Sequence, residues 1–262
     1  MTNRVTAQEI LESHFTLVSQ PGAIEVFDID GADGWTSPNA HPALSLARWA
    51  TTDKEKAADA LDQLVERFKK DGRGFDWMTG PRCAENDLVP LLKERGFIGP
   101  PLDIAAMARE ISTEIEATPP DGVKVWKVED PKDHRIWGIM ANGFDVSDDV
   151  GEVFHNAYLN RTARQHSQVY AASLADNEEP VAVGYLSYIG DGPSVLLRVS
   201  TTHAGSRGHG AYRALVTRRL FDAAKAGRTK AFVHAYSEGS RRGLGDLGFE
   251  TVGKLQLHRW RP

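Results

Sequence analysis

Val199–Leu220 reads VSTTHAGSRGHGAYRALVTRRL. It begins as a β-branched, strand-like run and ends as an amphipathic helix with Ala211, Leu215, Val216, Leu220 and then Ala224 on one face. Between them lies a turn punctuated by Gly208 and Gly210 with Arg207 ahead of it. A helix start carries unpaired N–H groups and the positive end of the helix dipole, and glycines let that backbone close on a ligand. Arg207 adds a full charge, and no acidic residue follows in the helix before Asp222. Arg213, Arg218 and Arg219 are expected to keep its first half basic. Anion binding is one reading; the other is a glycine-rich strand-to-helix turn that holds nothing. Neither a Walker A loop nor a complete dinucleotide GxGxxG is present.

A second stretch looks like a copy of the first. DKEKAADALDQLVERFKKDG (53–72) is a helix with Ala57, Ala58, Leu61, Leu64, Val65 and Phe68 at helical spacing, closed by Gly72–Arg73. The strand FDWMTG, a helix ending at Gly96–Phe97 and the strand DIAAMARE follow. After the Val199–Leu220 stretch the same order recurs: Gly227–Arg228, AFVHAY, a helix ending at Gly248–Phe249, and LQLHRW. This is the signature of a duplicated unit. The helix of the first copy opens Thr52-Asp53-Lys54-Glu55, read as a capping box in which Thr52 and Glu55 satisfy the free N–H groups. Only the second copy is expected to hold an anion.

ATPPDG (117–122) reads as a linker, giving an N-terminal domain over 1–118 and a second over 119–262. A helix is expected near 6–18, strands at AIEVFDI and ALSLARWA, and, in the second part, strands at VKVWKV, VAVGYLSYIG and VLLRVST with a helix near 131–142. The fold class is α/β (α+β), a mixed central sheet flanked by helices and duplicated, with the N-terminal copy degenerate.

The bulk properties fit this. The 262 residues are 41% hydrophobic and 26% charged with a net charge of −5, an ordinary globular composition with no overall bias toward nucleic acid or anionic membranes. A lone cysteine, Cys83, allows no internal disulfide and suits a cytoplasmic protein. There is no signal-peptide pattern, no membrane-length apolar run and no metal-ligand spacing, so no metal is expected.

With strand, loop, helix and late Gly-Phe assembled, the sequence resembles the GNAT acyltransferase superfamily. Its pyrophosphate motif falls on Arg207, Gly210 and Tyr212, with Tyr212 where a small residue is usual. Its late tyrosine is replaced by Leu244, while Gly248–Phe249 keeps the pattern. The likeness covers about residues 123–262, and more weakly Ala43–Arg109. It implies acetyl-CoA or another acyl-CoA as donor. The pantetheine arm would lie against Ser200 and Thr202, with the pyrophosphate on the backbone of Arg207, Gly208, His209, Gly210, Ala211 and Tyr212.

The implied acceptor is a small-molecule amine, with no nucleic acid or membrane partner and a monomer or homodimer as the assembly. The acid–base candidates are Tyr236 and His234, with Ser237 and Ser240 as hydroxyl alternatives. Each also reads as an ordinary strand or turn residue. GFDVSDDVGEVFHNAY, with Asp145, Asp148, Asp149 and Glu152, reads as an acidic rim for a cationic acceptor or as a solvated acidic loop. A non-catalytic acyl-CoA-binding or regulatory protein of this fold is the alternative to an enzyme.

Overall fold

The computed structural model describes residues 6–39, 41–130, 132–159, 166–174 and 179–262. By contacts the chain forms two compact units. One comprises 1–107, 235–238 and 251–262, and the other 108–234 and 239–250. The partition differs from a cut at 118/119 because the final strand pairs inside the first unit, and because residues 108–118 count with the second.

The first unit opens with α1 (Ala7–His14), which carries a true capping box: Thr6 Oγ1 accepts from Glu9 N, and Thr6 N donates to the Glu9 carboxylate. β1 (Glu25–Ile29), β2 (Ala32–Thr36) and β3 (Ser45–Trp49) form an antiparallel meander. α2 (Lys54–Lys70) then crosses over to β4 (Phe75–Thr79), parallel to β3. The expected second helix is two short ones, α3 (Pro81–Glu85) and α4 (Val89–Glu94), split at Asp87, whose φ is +51°. β5 (Leu102–Glu110) follows, and β11 (Glu250–Trp260) pairs antiparallel with β4 from Gln256↔Thr79 to Trp260↔Phe75. The core is aromatic. Phe68 stacks on Phe75 at 4.4 Å, Trp49 leans on Trp77 at 4.8 Å, and Trp260 Nε1 donates to Arg95 O. Trp77 is fully buried in this core.

The second unit repeats this wiring. β6 (Val123–Lys127), β7 (Ser167–Leu174), β8 (Ala182–Tyr188) and β9 (Ser194–Thr202) are successive antiparallel neighbours, and α7 (Ala211–Lys225) crosses over to β10 (Lys230–Ala235), parallel to β9. α5 (His134–Phe144) and α6 (Asp148–Leu159) lie between β6 and β7 in sequence, and α8 (Glu238–Gly245) follows β10. The acidic stretch is mostly the α6 helix. Asp145 ends α5 in a left-handed turn, and Asp148 and Asp149 occupy the first turn of α6, where carboxylates complement the dipole.

The two copies also end their helices alike. Gly72, Gly96, Gly227 and Gly248 all have φ between +63° and +83°. In each case the next residue's N–H reaches back five residues: Arg73 to Phe68 O, Phe97 to Leu92 O, Arg228 to Ala223 O and Phe249 to Leu244 O.

Candidate active site

β9 is paired with β10 only from Ser194↔Lys230 to Leu197↔Val233, yet β9 runs on to Thr202. Its last five residues therefore present an edge that β10 does not cover, while the other edge stays on β8 through Thr201↔Val183 and Thr202↔Ala182. The divergence coincides with a bulge. The β8–β9 register slips between Val183 and Tyr185, and Val199 sits at φ +47°, a conformation a β-branched residue rarely adopts. This is the splayed strand end on which the sequence reading placed Ser200 and Thr202.

Arg219 holds the bulge from beneath. Its side chain is fully buried on α7, and Nε donates to Leu215 O at 3.0 Å. Nη1 donates to Tyr185 O at 3.1 Å and Arg198 O at 3.4 Å, and Nη2 to Ser200 Oγ at 2.7 Å. Opposite it, a Cβ on Gly184 would lie 2.8 Å from the guanidinium, so a larger residue there would push Arg219 out of these hydrogen bonds. Burial without a carboxylate pulls the Arg219 pKa down to about 10. Sequence reading took Arg219 for surface charge. In fact it is core, and Arg218 is paired with Asp222 at 3.2 Å, so the basic face expected on α7 reduces to Arg213.

The turn beyond β9 is a short 3₁₀ segment (Ala204–Ser206) followed by Arg207, Gly208, His209 and Gly210. Gly208 and Gly210 have φ of +85° and +84°. Gly210 is the N-cap of α7 and supplies no side-chain acceptor. Among the described residues, no acceptor meets the backbone N–H groups of residues 208–213. A cluster of free donors at a positive helix end is the arrangement that binds anions. Arg207 is exposed and leans back on the strand, its Nε 3.3 Å from Thr202 O. The turn at Pro120–Val123 backs the cradle: a Cβ on Gly210 would lie 3.3 Å from Pro120 Cγ. The stretch expected to be a free linker is thus part of the cradle's support.

The matching helix of the first copy has a side-chain cap, one residue later than read. Asp53, not Thr52, is the N-cap of α2; its Oδ1 accepts from Lys56 N at 2.9 Å, and Thr51 Oγ1 accepts from Asp53 N.

Tyr212, the residue out of pattern, turns away from the cradle. Its hydroxyl lies 3.2 Å from Ser240 Oγ, its ring is the nearest group to Gly243, and burial raises its pKa. Ser240 therefore lies beside Tyr212, on α8. His203 and His209 are exposed, and His234 is half-buried on β10. Tyr236 lies just past β10, 39% exposed, and with Ser237 counts in the first unit. Leu244 is fully buried.

On the sheet face opposite Arg219, α5 closes tightly on β9, since a Cβ on Gly143 would overlap Thr201 Oγ1. There His155 of α6 hydrogen-bonds through Nδ1 with the buried Tyr185 hydroxyl, and the Arg198 guanidinium lies 5.3 Å from the Tyr158 ring centroid. Burial raises the Tyr185 pKa, so its hydroxyl stays protonated. Phe154 stacks on Tyr158, while Phe144 is exposed. Sequence reading missed this cluster, whose only signal was the histidine within HNAY.

Among the described residues there is no His/Cys/Asp/Glu group that could hold a metal, and no helix is long and apolar enough to cross a membrane. No protein-family model matches the sequence, and no curated protein matches it. Solved structures do. A GCN5-related N-acetyltransferase from Kribbella flavida superposes with a TM-score of 0.72 at 16% identity, over 100% of this chain and 97% of that one. A GCN5-related N-acetyltransferase from Sphaerobacter thermophilus gives 0.64 at 14%, over 98% and 87%. A tandem GNAT protein from the clavulanic acid biosynthesis pathway gives 0.62 at 12%, over 92% and 84%. The chain has the GNAT acetyltransferase fold.

Proposed function

We propose that the protein is an acyl-CoA-dependent N-acyltransferase that transfers an acetyl or similar acyl group to the amine of a small acceptor. One observation carries this: of two copies of the same strand–helix crossover, α2 carries a side-chain cap, Asp53 Oδ1 on Lys56 N, whereas α7 carries none and starts behind two left-handed glycines and Arg207. The residues fit the donor's pyrophosphate, because the donors converge at a positive helix end with no carboxylate nearby in sequence.

Acyl-CoA supplies an activated thioester when bound. Residues 207–212 hold the pyrophosphate, and the uncovered edge of β9 around Ser200–Thr202 orients the arm. The bulge at Val199, fixed by Arg219, sets which backbone N–H groups face the acyl carbonyl. His234 is the proposed proton acceptor for the ammonium, since histidine titrates near neutral pH. Tyr236, two residues on, is the proposed acid for the departing thiolate.

Thiol release from acetyl-CoA across a panel of small amines tests the proposal, with calorimetry of CoA binding beside it. Amine-dependent release that falls in H234A and Y236F is expected. Tight CoA binding with no release above background for any amine would instead favour the second reading, an acyl-CoA-binding protein without turnover. The specific observation on that side is the buried Leu244, which puts no hydroxyl where the fold's usual acid stands.

A further inference from the structure

On the flank of α7 a surface cavity of about 370 Å³ opens between that helix, the turn after α8 and residues 109–118. Arg213, Thr217 and Leu220 face it from α7 at i, i+4 and i+7, a single stripe. The stripe runs from about 4.5 to about 15 Å along the axis from Gly210, at about 1.5 Å per residue. Arg109 and Thr118 face it from the other side, and Ile115 forms an apolar wall with Leu220.

Neither arginine has a carboxylate. Arg109 is fixed in place by backbone alone, with Nε donating to Glu110 O at 3.0 Å, Nη1 donating to Leu247 O, and the guanidinium 5.9 Å from the Phe249 ring centroid. Burial lowers its pKa. Arg213 is exposed and has no hydrogen-bond or ion-pair partner among the described residues. Asp246 also lines the cavity and makes no ion pair with either, among the described residues. The chain has 36 acidic residues for 31 basic ones, and elsewhere its arginines are commonly paired: Arg48 with Asp33, Arg95 with Asp62, Arg218 with Asp222 and Arg259 with Asp76. Two guanidinium groups without an ion-pair partner, two threonine hydroxyls and an apolar wall outweigh the one carboxylate of Asp246 in this cavity, and together they are complementary to a doubly charged oxyanion on a small organic body.

We infer that this cavity is a second anion site, which takes a phosphate monoester through Arg109 and Arg213. It is built from side chains along α7, not from the backbone donors at its start, so it stands whether or not the chain transfers acyl groups. The monoester has two sources: the ribose 3′-phosphate of CoA, or a separate phosphorylated metabolite.

The test is R213A, which removes the charge from an exposed position and leaves the backbone N–H of residue 213 in place. Wild type and R213A are titrated with CoA, with dephospho-CoA, and with inorganic phosphate followed by ³¹P NMR with and without saturating CoA. If CoA supplies the group, wild type binds CoA about tenfold or more tightly than dephospho-CoA, and R213A erases that ratio. If a separate metabolite supplies it, phosphate binds CoA-saturated wild type and not R213A. A CoA to dephospho-CoA ratio and a phosphate affinity both unchanged in R213A overturn the inference. Failure of CoA to bind at all sinks the acyltransferase proposal instead, and the phosphate titration alone then decides this one.

Discussion

Replacing His209 by glutamate should separate the cradle's two roles, as a helix start and as an anion site. His209 is exposed, lies between the two left-handed glycines and has no positive φ of its own, so the substitution adds no backbone strain. Gly210 is a poorer choice, because its φ of +84° and the Pro120 contact would confuse strain with charge.

The new carboxylate can reach the free N–H groups of residues 208–213. Near a helix start it should raise stability by about 0.3–1 kcal/mol. A phosphate oxygen bound there would meet it at about 5 Å, which at effective dielectric constants between about 80 and 20 costs about 1–3 kcal/mol. That is a roughly 5- to 150-fold loss of CoA affinity. H209Q controls for loss of the imidazole. Urea denaturation reads the first effect and calorimetry the second, and the affinity gap should narrow with added salt as screening sets in. Equal CoA dissociation constants for H209E and H209Q would refute the cradle as the pyrophosphate site.

Four further outcomes follow from the packing. Arg219→Met strips a donor from the buried Tyr185 O, costing about 1–3 kcal/mol when it is left unpaired in the interior, and one from the half-buried Ser200 Oγ, so the urea midpoint should fall clearly; an unchanged midpoint would contradict its role in the bulge. Asp53→Ala removes the α2 cap and should cost about 1 kcal/mol by the same measurement, with CoA binding untouched. Cys83 is buried and its thiol pKa is raised, so a thiol reagent at neutral pH should label it only as fast as the first unit opens; immediate labelling of native protein would count against its burial.

Burial also lowers the pKa of His258, which sits against Thr79 Oγ1 at 3.2 Å. Its unfolded form therefore takes a proton first, and stability is complete above the ordinary histidine value near 6.5. Stability falls as pH drops below that value toward the lower folded one, by at most about 1.4 kcal/mol per pH unit. The loss between pH 7 and 5.5 should shrink in H258Q.

What was legible in the sequence was what local rules encode. The βα crossover at Val199–Leu220, the helix at 53–72 and the four Gly-terminated helix ends were all readable, because helical spacing and a left-handed glycine are properties of a few adjacent residues. Where tertiary context decides, the reading slipped. α6 looked like an acidic loop because its apolar face is short and Gly151 interrupts it; that glycine is there because a Cβ would lie 2.9 Å from Ala141 Cβ. β7 went unseen because its polar first two residues, Ser167–Gln168, and Ser173 bracket the short run Val169–Ala172. Arg219 reads like any surface arginine beside Arg218, and the room to bury it comes from elsewhere in the chain, where Gly184 of β8 has no side chain to meet the guanidinium. Asp53 took the cap from Thr52 by one position, a choice set by backbone angles. The pairing of β11 with β4 leaves no local trace, since Trp260 and Phe75 are far apart in sequence.

That last pairing sets an order on synthesis. β4 emerges from the ribosome roughly 180 residues before the strand that flanks it, so its aromatic row of Phe75 and Trp77 must wait for Trp260 while the whole second unit is made. Such a distant partner makes closure of the first sheet a late, slow event, and leaves an apolar strand edge open to chaperones or to a neighbouring nascent chain in the interval. The first unit, although most of it is translated before the second, is completed only after it.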